Sequence, residues 1–296
     1  GRGDHVITTA MDHNSVMRPL NELEARGVVE YTRVPCSPTG ELEPERIEQE
    51  IRSNTRLIVA VHGSNVTGSV LPIEQIGRIA RANGVRFLVD ACQTAGCQPL
   101  NLSALPVDLL ACSGHKGLFG PMGTGVLYVA DGVELATLRE GGTGSVSADD
   151  VQPSFLPDRF EAGTHNAGGI VGLLEGVKFL LEKGVHNVHA HKVKLVATFL
   201  DGVRSLPGVL AYGPRDPGKN AGVVSVSVRG YTPDDAARAL DERYGIQVRP
   251  GLHCAPWAHR TLGTFPQGTV RFSFGYFNTA DQVQAAVRAL GELASA

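Results

Sequence analysis

Short apolar runs alternate with helix-like stretches over the first half of this 296-residue chain, and this alternation most constrains its fold. Two of the helix-like stretches carry end signals: Glu43 to Arg52 has Pro44 near its start, and Ile73 to Ala82 is followed by Asn83 and Gly84. Strand-length runs separated by helices predict a mostly parallel α/β sheet. The predicted strands are His5 to Thr8, Val29 to Thr32, Leu57 to Val61, Arg86 to Asp90, Asp108 to Cys112 and Gly125 to Val129.

The second half has a different pattern, in which helices dominate. A chain of this length exceeds the size at which one core usually stops growing, so we expect two domains. We predict a large α/β domain over residues 1–183 and a smaller α+β domain over residues 184–296. The predicted elements are helices from Gly168 to Leu181 and from about Asn187 to Leu206, a strand from Gly222 to Val228, and helices from Pro233 to Tyr244 and from Ala280 to Leu293.

Composition narrows the class of protein. Lys and Arg number 27 against 30 Asp and Glu, a formal charge of -3 without a basic stripe, so we expect no nucleic-acid partner. The longest apolar runs have strand length, short of the roughly 20 residues that span a bilayer, so we expect no membrane insertion. The 5 cysteines form no C-x-x-C pair, which argues against a disulfide framework and favours a reducing cytoplasm.

Polar residues follow two of the predicted strands. Asp90 closes one strand with Gln93 just beyond it, and Lys116 follows another in the run from Ser113 to Gly117. Ligands of parallel sheets bind at the carboxyl ends of strands. A lysine there can form a Schiff base with an aldehyde cofactor, and a carboxylate can keep a pyridine nitrogen protonated, which fits pyridoxal 5'-phosphate (PLP). Taken singly, a surface lysine and a strand-closing aspartate are common without any function.

Seven motifs occur in order along nearly the whole chain. They resemble the class V aminotransferases of PLP fold type I and, among these, the cysteine desulfurases and selenocysteine lyases. The resemblance implies a large PLP-binding domain with a mostly parallel sheet and a smaller C-terminal α+β domain. The motifs are D-H-N-S-V at 12–16, H-G-S-N-V-T-G at 62–68, D-A-C-Q at 90–93, S-G-H-K-G at 113–117, F-E-A-G-T at 160–164, G-L-H-C-A at 251–255 and V-R-F-S at 270–273.

The resemblance assigns four residues to the cofactor ring. Lys116 binds PLP covalently and then moves the substrate α-proton. Asp90 faces the pyridinium nitrogen, and Gln93 donates to the phenolate oxygen. His13 stacks on the ring and transfers protons, for which an imidazole is suited. Without the motifs, His13 reads as a helix-entry residue bonded to nearby backbone.

Further cofactor contacts follow from the same resemblance. Ser113 and His115 correspond to phosphate ligands. Asn65 donates to the phenolic oxygen or orients the substrate carboxylate, although N-V-T-G alone indicates only a turn asparagine. Thr164 matches a residue that contacts the cofactor phosphate of a neighbouring subunit, which implies a homodimer.

The resemblance assigns substrate recognition and the sulfur chemistry to residues of the C-terminal motifs. Arg271 corresponds to the residue that binds the substrate carboxylate, a task suited to the planar guanidinium, and Arg249 assists. Cys254 lies on a Gly- and Pro-bounded loop, where a reactive group can approach substrate. Positive charge from His253 or Arg249 would favour its thiolate. The alternative for Cys254 is a small hydrophobe, as most unpaired cysteines are.

A metal site is the remaining option for this loop. His253, Cys254 and His259 carry metal-ligating groups, but no fourth ligand lies at a familiar zinc spacing, so we predict no metal. Pro250 and Leu252 replace residues common in the desulfurase pattern, a small or polar residue and the first of a His-His pair, which leaves substrate preference open.

Together these assignments predict a PLP-dependent homodimer that converts L-cysteine to L-alanine, with a persulfide on Cys254 for an acceptor protein or small thiol. The alternatives are a selenocysteine lyase or another class V aminotransferase or lyase. Family members carry an N-terminal segment with a Gly/Thr-rich phosphate-binding turn, which this sequence is expected to lack. A non-catalytic binding module of the same fold is therefore a third alternative.

Overall fold

A six-stranded sheet forms the first part of the computed structural model, which describes residues 2–295. The strand order is β2-β1-β3-β4-β5-β6, and all pairs are parallel except β5 with β6. The predicted mostly parallel sheet is confirmed. The strands are β1 (Asp4–Thr9), β2 (Val29–Val34), β3 (Thr55–Val61), β4 (Arg86–Asp90), β5 (Leu109–Ser113) and β6 (Gly125–Val129).

Four helices accompany this sheet: α1 (Asn14–Ala25), α2 (Pro44–Gln49), α3 (Ile73–Ala82) and α4 (Ala167–Lys183). Helix α3 has the predicted bounds because Ile73, Ile76 and Ala80 bury one face and Gly84 follows with a φ of 65°. Helix α2 is shorter than the predicted 43–52. The extent of helix α1 was not predicted, because Pro19 interrupts its pattern, although His13 does cap its start as the helix-entry alternative expected.

A four-stranded antiparallel sheet forms the second part, with the order β7-β8-β10-β9. Its side chains pack with those of α5, α6 and α8 around Phe199, Phe272 and Leu290. The elements are α5 (Val185–Arg204), β7 (Val209–Tyr212), β8 (Val223–Val228), α6 (Pro233–Tyr244), β9 (Arg249–Gly251), α7 (Pro256–Leu262), β10 (Thr269–Ser273) and α8 (Ala280–Ser295), with single 3₁₀ turns at Asp158–Phe160 and Pro217–Lys219.

One segment of the second part packs against the first. Ala255 and Ala258, at the start of α7, are fully buried in the core that contains Ile58, Phe87 and Val89 of the large sheet. The loop between β9 and α7 is therefore held at the large sheet, although it follows a strand of the small one.

The predicted domain boundary falls where α4 ends and α5 begins. Gly184 separates the two helices with a φ of 80°, a conformation that costs glycine little. The boundary itself stays a prediction. Within residues 2–295, no helix is both long and apolar enough to cross a membrane.

Candidate active site

The loops after neighbouring parallel strands bring the predicted cofactor residues to one edge of the large sheet. His13 follows β1, Asn65 follows β3, Asp90 ends β4 with Gln93 beyond it, and Lys116 follows β5. Strands β1, β3, β4 and β5 are adjacent and parallel, so their carboxyl ends share an edge. Residues separated by up to 103 positions in the sequence (13 to 116) are thereby brought together.

Asp90 lies at the base of this edge and is 5% exposed. Its Oδ1 accepts a hydrogen bond of 2.9 Å from the backbone N–H of Cys92, and Asp90 forms no salt bridge within residues 2–295. Burial, and then the charge of Asp90, raises the pKa of the Cys92 thiol to about 11. The carboxylate thus has a protonated thiol beside it and the capacity to accept a further charged donor.

Lys116 lies in a tightly closed loop. The N–H of Gly114 donates to Thr124 O at 2.9 Å, the N–H of Gly120 donates to Gly114 O at 2.8 Å, and Phe119 has a φ of 58°. The Lys116 side chain is exposed, and its ammonium forms neither a hydrogen bond nor an ion pair in the described part of the chain. A rigid loop that carries an unpaired amine is suited to covalent attachment of an aldehyde.

His13 caps the N-terminus of α1 and faces the same charges. Its Nδ1 accepts from Ser15 N at 3.1 Å, which leaves Nε2 as the protonated nitrogen of the neutral ring. Burial lowers the pKa of His13, the nearby ammonium of Lys116 lowers it further, and Asp90 raises it. His13 is therefore close to both residues and neutral above its ordinary pKa.

Asp12 holds the His13 loop and was not identified from the sequence as a site residue. Its Oδ1 accepts from Val61 N at 2.8 Å, and its Oδ2 accepts from Thr9 N at 2.7 Å, Thr9 Oγ1 at 2.7 Å and Thr8 Oγ1 at 2.9 Å. Burial raises the pKa of Asp12 to about 6 despite these donors. Asp12 directly precedes His13 in the D-H-N motif, and this position could have indicated that Asp12 orients the histidine.

The Cys254 loop is anchored to the large-sheet loops through its backbone. Asn14 N donates to Cys254 O at 2.8 Å, and Asn65 Nδ2 donates to His253 O at 2.7 Å. Both His253 and Cys254 have positive φ values, 52° and 57°, which non-glycine residues seldom adopt. These anchors leave the Cys254 side chain exposed, unlike the side chains of the other four cysteines, which are buried or half-buried.

Two guanidinium groups lie beside the thiol. Arg249 and Arg271 are cross-strand partners on β9 and β10, and Arg249 Nη2 lies 3.8 Å from Cys254 Sγ. Arg271 Nη1 donates to Asn65 O at 3.1 Å, while its Nε is buried without a hydrogen-bond partner. Burial lowers the pKa of Arg271, and the charge of Arg249 lowers it further. A buried donor without an acceptor fits the binding of a carboxylate.

A chain of neutral histidines lies behind the thiol. His253 Nε2 lies 2.9 Å from Arg249 O, His253 Nδ1 lies 3.3 Å from His259 Nε2, and His259 Nδ1 lies 2.8 Å from Thr264 Oγ1. Burial lowers the pKa of both histidines to about 4. The expectation that His253 supplies positive charge to the thiol is therefore wrong at neutral pH, where Arg249 is the neighbouring cation.

From the sequence alone, the only role that His259 suggests is that of a metal ligand. Within residues 2–295, no group of three or more His, Cys, Asp or Glu side chains is arranged to hold a metal ion. No sequence pattern predicts the His253–His259 contact, because this contact depends on how α7 turns back after the Cys254 loop.

These histidines predict acid sensitivity of the fold. His62, His253 and His259 each have a pKa lowered to about 4, mainly by burial, against 6.5 ordinarily. As pH falls from 6.5 towards 4, these histidines take up protons in the unfolded chain but not in the folded chain. The free energy of unfolding, to which their neutral forms contribute fully above pH 6.5, therefore decreases over this range. We expect the urea midpoint to fall over this range, less steeply in His259→Gln.

The matched control is His186→Gln, which changes an exposed histidine at the start of α5. Its pH profile is expected to follow that of the parent. Identical slopes for the parent and His259→Gln would contradict a buried neutral His259.

The three residues predicted to contact the cofactor phosphate, Ser113, His115 and Thr164, form fewer contacts than the residues around Asp90 and Cys254. Ser113 Oγ donates to Cys92 Sγ at 3.3 Å, beside Asp90, and His115 is exposed on the Lys116 loop. Thr164 is exposed on the loop before α4. Their roles stay predictions.

A model of the family described as Aminotransferase class-V matches residues 1–286. The chain belongs to the class-V aminotransferase family. A "Probable cysteine desulfurase" of Methanothermobacter thermautotrophicus is 37% identical over 99% of this chain and 74% of its own length. An Escherichia coli "Cysteine desulfurase" is 32% identical over 97% of this chain and 70% of its own length.

Solved structures agree with this family membership. An apo cysteine desulfurase from Thermococcus onnurineus superposes with a TM-score of 0.88 at 34% identity, over 99% of this chain and 73% of the other. An E. coli cysteine desulfurase in an S-sulfonic acid form superposes with a TM-score of 0.90 at 26% identity, over 99% and 72%. The predicted fold class, PLP fold type I with a mostly parallel sheet, is confirmed.

Proposed function

We propose that this class-V aminotransferase is a PLP-dependent cysteine desulfurase, which converts L-cysteine to L-alanine and retains the sulfur as a persulfide on Cys254. The observation that carries the proposal is the exposed thiol of Cys254, held by its backbone beside Arg249 and Arg271. The relatives named as cysteine desulfurases support the same reaction.

The residues at the sheet edge fit PLP. Asp90 is a buried carboxylate without a salt bridge among residues 2–295, which suits a protonated ring nitrogen. The Gln93 side-chain amide has no hydrogen-bond partner in the same range, so it can donate to a phenolate oxygen. Ser113 and His115 would bind the phosphate, and His13 would stack on the ring. When bound, PLP supplies an electron-poor ring that withdraws electrons from the substrate α-carbon.

Arg271 would bind the substrate carboxylate. Its buried Nε has no partner, and Nη1 is fixed by Asn65 O, so the guanidinium is oriented before substrate arrives. Asn65 orients two groups of the site: its backbone carbonyl accepts from Arg271, and its side-chain amide donates to the His253 carbonyl. Its predicted contact with cofactor or substrate remains part of the proposal. Arg249 would favour the thiolate of Cys254.

Lys116 would hold the cofactor and then carry the α-proton to and from the substrate, with His13 as a second proton carrier. In the sulfur step the Cys254 thiolate attacks the substrate sulfur. An S–S bond forms, the substrate Cβ–S bond breaks, and its electron pair stays on carbon, which takes up a proton. The products are L-alanine and a Cys254 persulfide, which an acceptor protein or small thiol would receive.

The working form would be a homodimer in a reducing cytoplasm. Apolar side chains are exposed on β6 (Val126 and Leu127) and on α4 (Ile170, Val171 and Leu174), which suits a subunit interface near the exposed Thr164. Five unpaired cysteines suit a reducing compartment.

The test is to measure alanine, sulfide and protein persulfide formed from L-cysteine by the chain supplied with PLP and a thiol reductant. We expect equal amounts of alanine and transferred sulfur. Much faster turnover of L-selenocysteine would favour the lyase, and alanine that requires a keto acid would indicate aminotransfer. PLP binding without turnover of any of these substrates, or no PLP binding, would refute the proposal and favour a non-catalytic module.

A further inference from the structure

A cavity of about 370 Å³ opens on the side of Lys116 towards the small sheet. Part of its wall comes from Gln93 and Lys116 of the large-sheet loops. The rest comes from Lys192 of α5, from Ser273 at the end of β10 and from the segment that follows, including Asn278. The volume is within the range of small-molecule sites. The cavity lies beside the proposed cofactor residues, yet Lys192 has no part in the reaction described above.

Lys192 is a buried cation without a counter-charge. The residue is 8% exposed, and its ammonium forms no hydrogen bond or ion pair anywhere in residues 2–295. The cavity wall contains two lysines and no Asp or Glu. Burial lowers the pKa of nearby His189, and the Lys192 charge lowers it further, so this histidine offers Lys192 no compensating negative charge.

The absence of a side chain at Gly222 makes room for the end of the Lys192 side chain. The end of the Lys192 side chain passes over Gly222, which has a φ of 89°, and a Cβ at that position would lie 2.8 Å from Lys192 Nζ. The backbone of Gly222 is held on both sides: its N–H donates to Asn220 Oδ1 at 2.8 Å, and its carbonyl accepts from Phe274 N at 2.8 Å. The Lys192 ammonium therefore lies against the backbone of Gly222, where any side chain would collide with it.

We propose that this cavity binds a small oxyanion between the ammonium groups of Lys192 and Lys116. The Lys192 ammonium lies at the cavity wall without an anionic partner, and an oxyanion there would form charge-assisted hydrogen bonds with it. The Gln93 amide and the Ser273 hydroxyl are neutral donors on the same wall. An oxyanion seated there would contact the amine of Lys116, so it would compete with the covalent role proposed for that residue.

The test is titration calorimetry of the chain with inorganic phosphate, sulfate and acetate in separate arms. We expect Lys192→Met, which keeps the aliphatic length, to lower phosphate affinity by about tenfold or more, because a charge-assisted hydrogen bond is lost. Lys194→Met changes an exposed lysine on the same helix and is expected to bind as the parent does. The sulfate and acetate arms separate a tetrahedral oxyanion from a carboxylate.

Phosphate binding that survives in Lys192→Met but is lost in His115→Ala would place the anion at the cofactor phosphate ligands and overturn the proposal. Absence of binding of all three anions to the parent would overturn it too. Crystals of the parent soaked in selenate give a measurement that needs no variant. An anomalous peak beside Lys192 Nζ is expected, and a peak only elsewhere would contradict the site.

Discussion

Lys116→Ala is expected to lower the rate of alanine formation from L-cysteine by more than about a thousandfold, because the variant loses both the covalent attachment point and the amine that carries the α-proton. The Lys116 loop is closed by its own backbone hydrogen bonds, so the variant should keep the fold. The measurement is alanine production, together with borohydride reduction of the PLP-treated chain and mass analysis of the peptide that contains position 116.

Two variants sharpen the comparison. Lys116→Arg keeps the charge but cannot attach an aldehyde, so it should be as inactive as the alanine variant. Lys194→Ala removes an exposed lysine of α5 and should retain activity. Normal turnover in Lys116→Ala, or reductive labelling of another lysine in the active parent, would remove Lys116 from the proposed mechanism.

Cys254→Ser is expected to abolish protein persulfide and to lower sulfur transfer by more than about a thousandfold, because a hydroxyl is a far weaker nucleophile than a thiolate towards sulfur. The loop is anchored through the carbonyls of His253 and Cys254, so the substitution leaves both anchors in place. PLP absorbance and cysteine binding should be retained, which separates loss of chemistry from loss of the site.

The matched control is Cys36→Ala. Burial raises the pKa of the Cys36 thiol to about 12, so this sulfur is protonated and unreactive. Its removal should leave persulfide formation unchanged. A Cys254→Ser protein that still forms persulfide at the parental rate would assign the sulfur chemistry to another residue.

Local patterns predicted most of the fold. The predicted bounds of all six strands of the large sheet lie within two residues of the observed bounds, because each strand is an apolar run between turn residues. Helices α3 and α6 have the predicted bounds. The extent of helix α1 was not predicted because Pro19 interrupts the helical spacing of its apolar residues. Strand β9 has only three residues, too few to show an alternation of apolar and polar side chains.

The site was only partly predictable, for a different reason. Asp90, Gln93 and Lys116 end or follow strands, so their meeting follows from sheet geometry. The bond from Asn65 to the His253 carbonyl joins residues 188 positions apart, and no local pattern encodes it. The neutrality of His253 was also beyond sequence reasoning, because it results from burial among distant segments.

The positive φ values at His253 and Cys254 place activity and fold stability in opposition at this loop. A non-glycine residue in the left-handed region costs roughly 1 kcal/mol, so glycine would suit the backbone at position 254 better than cysteine does. A search for thermally robust variants would therefore favour glycine at position 254, although every such variant would lack the thiol. Engineering for heat tolerance should exclude this loop and concentrate on surfaces away from it.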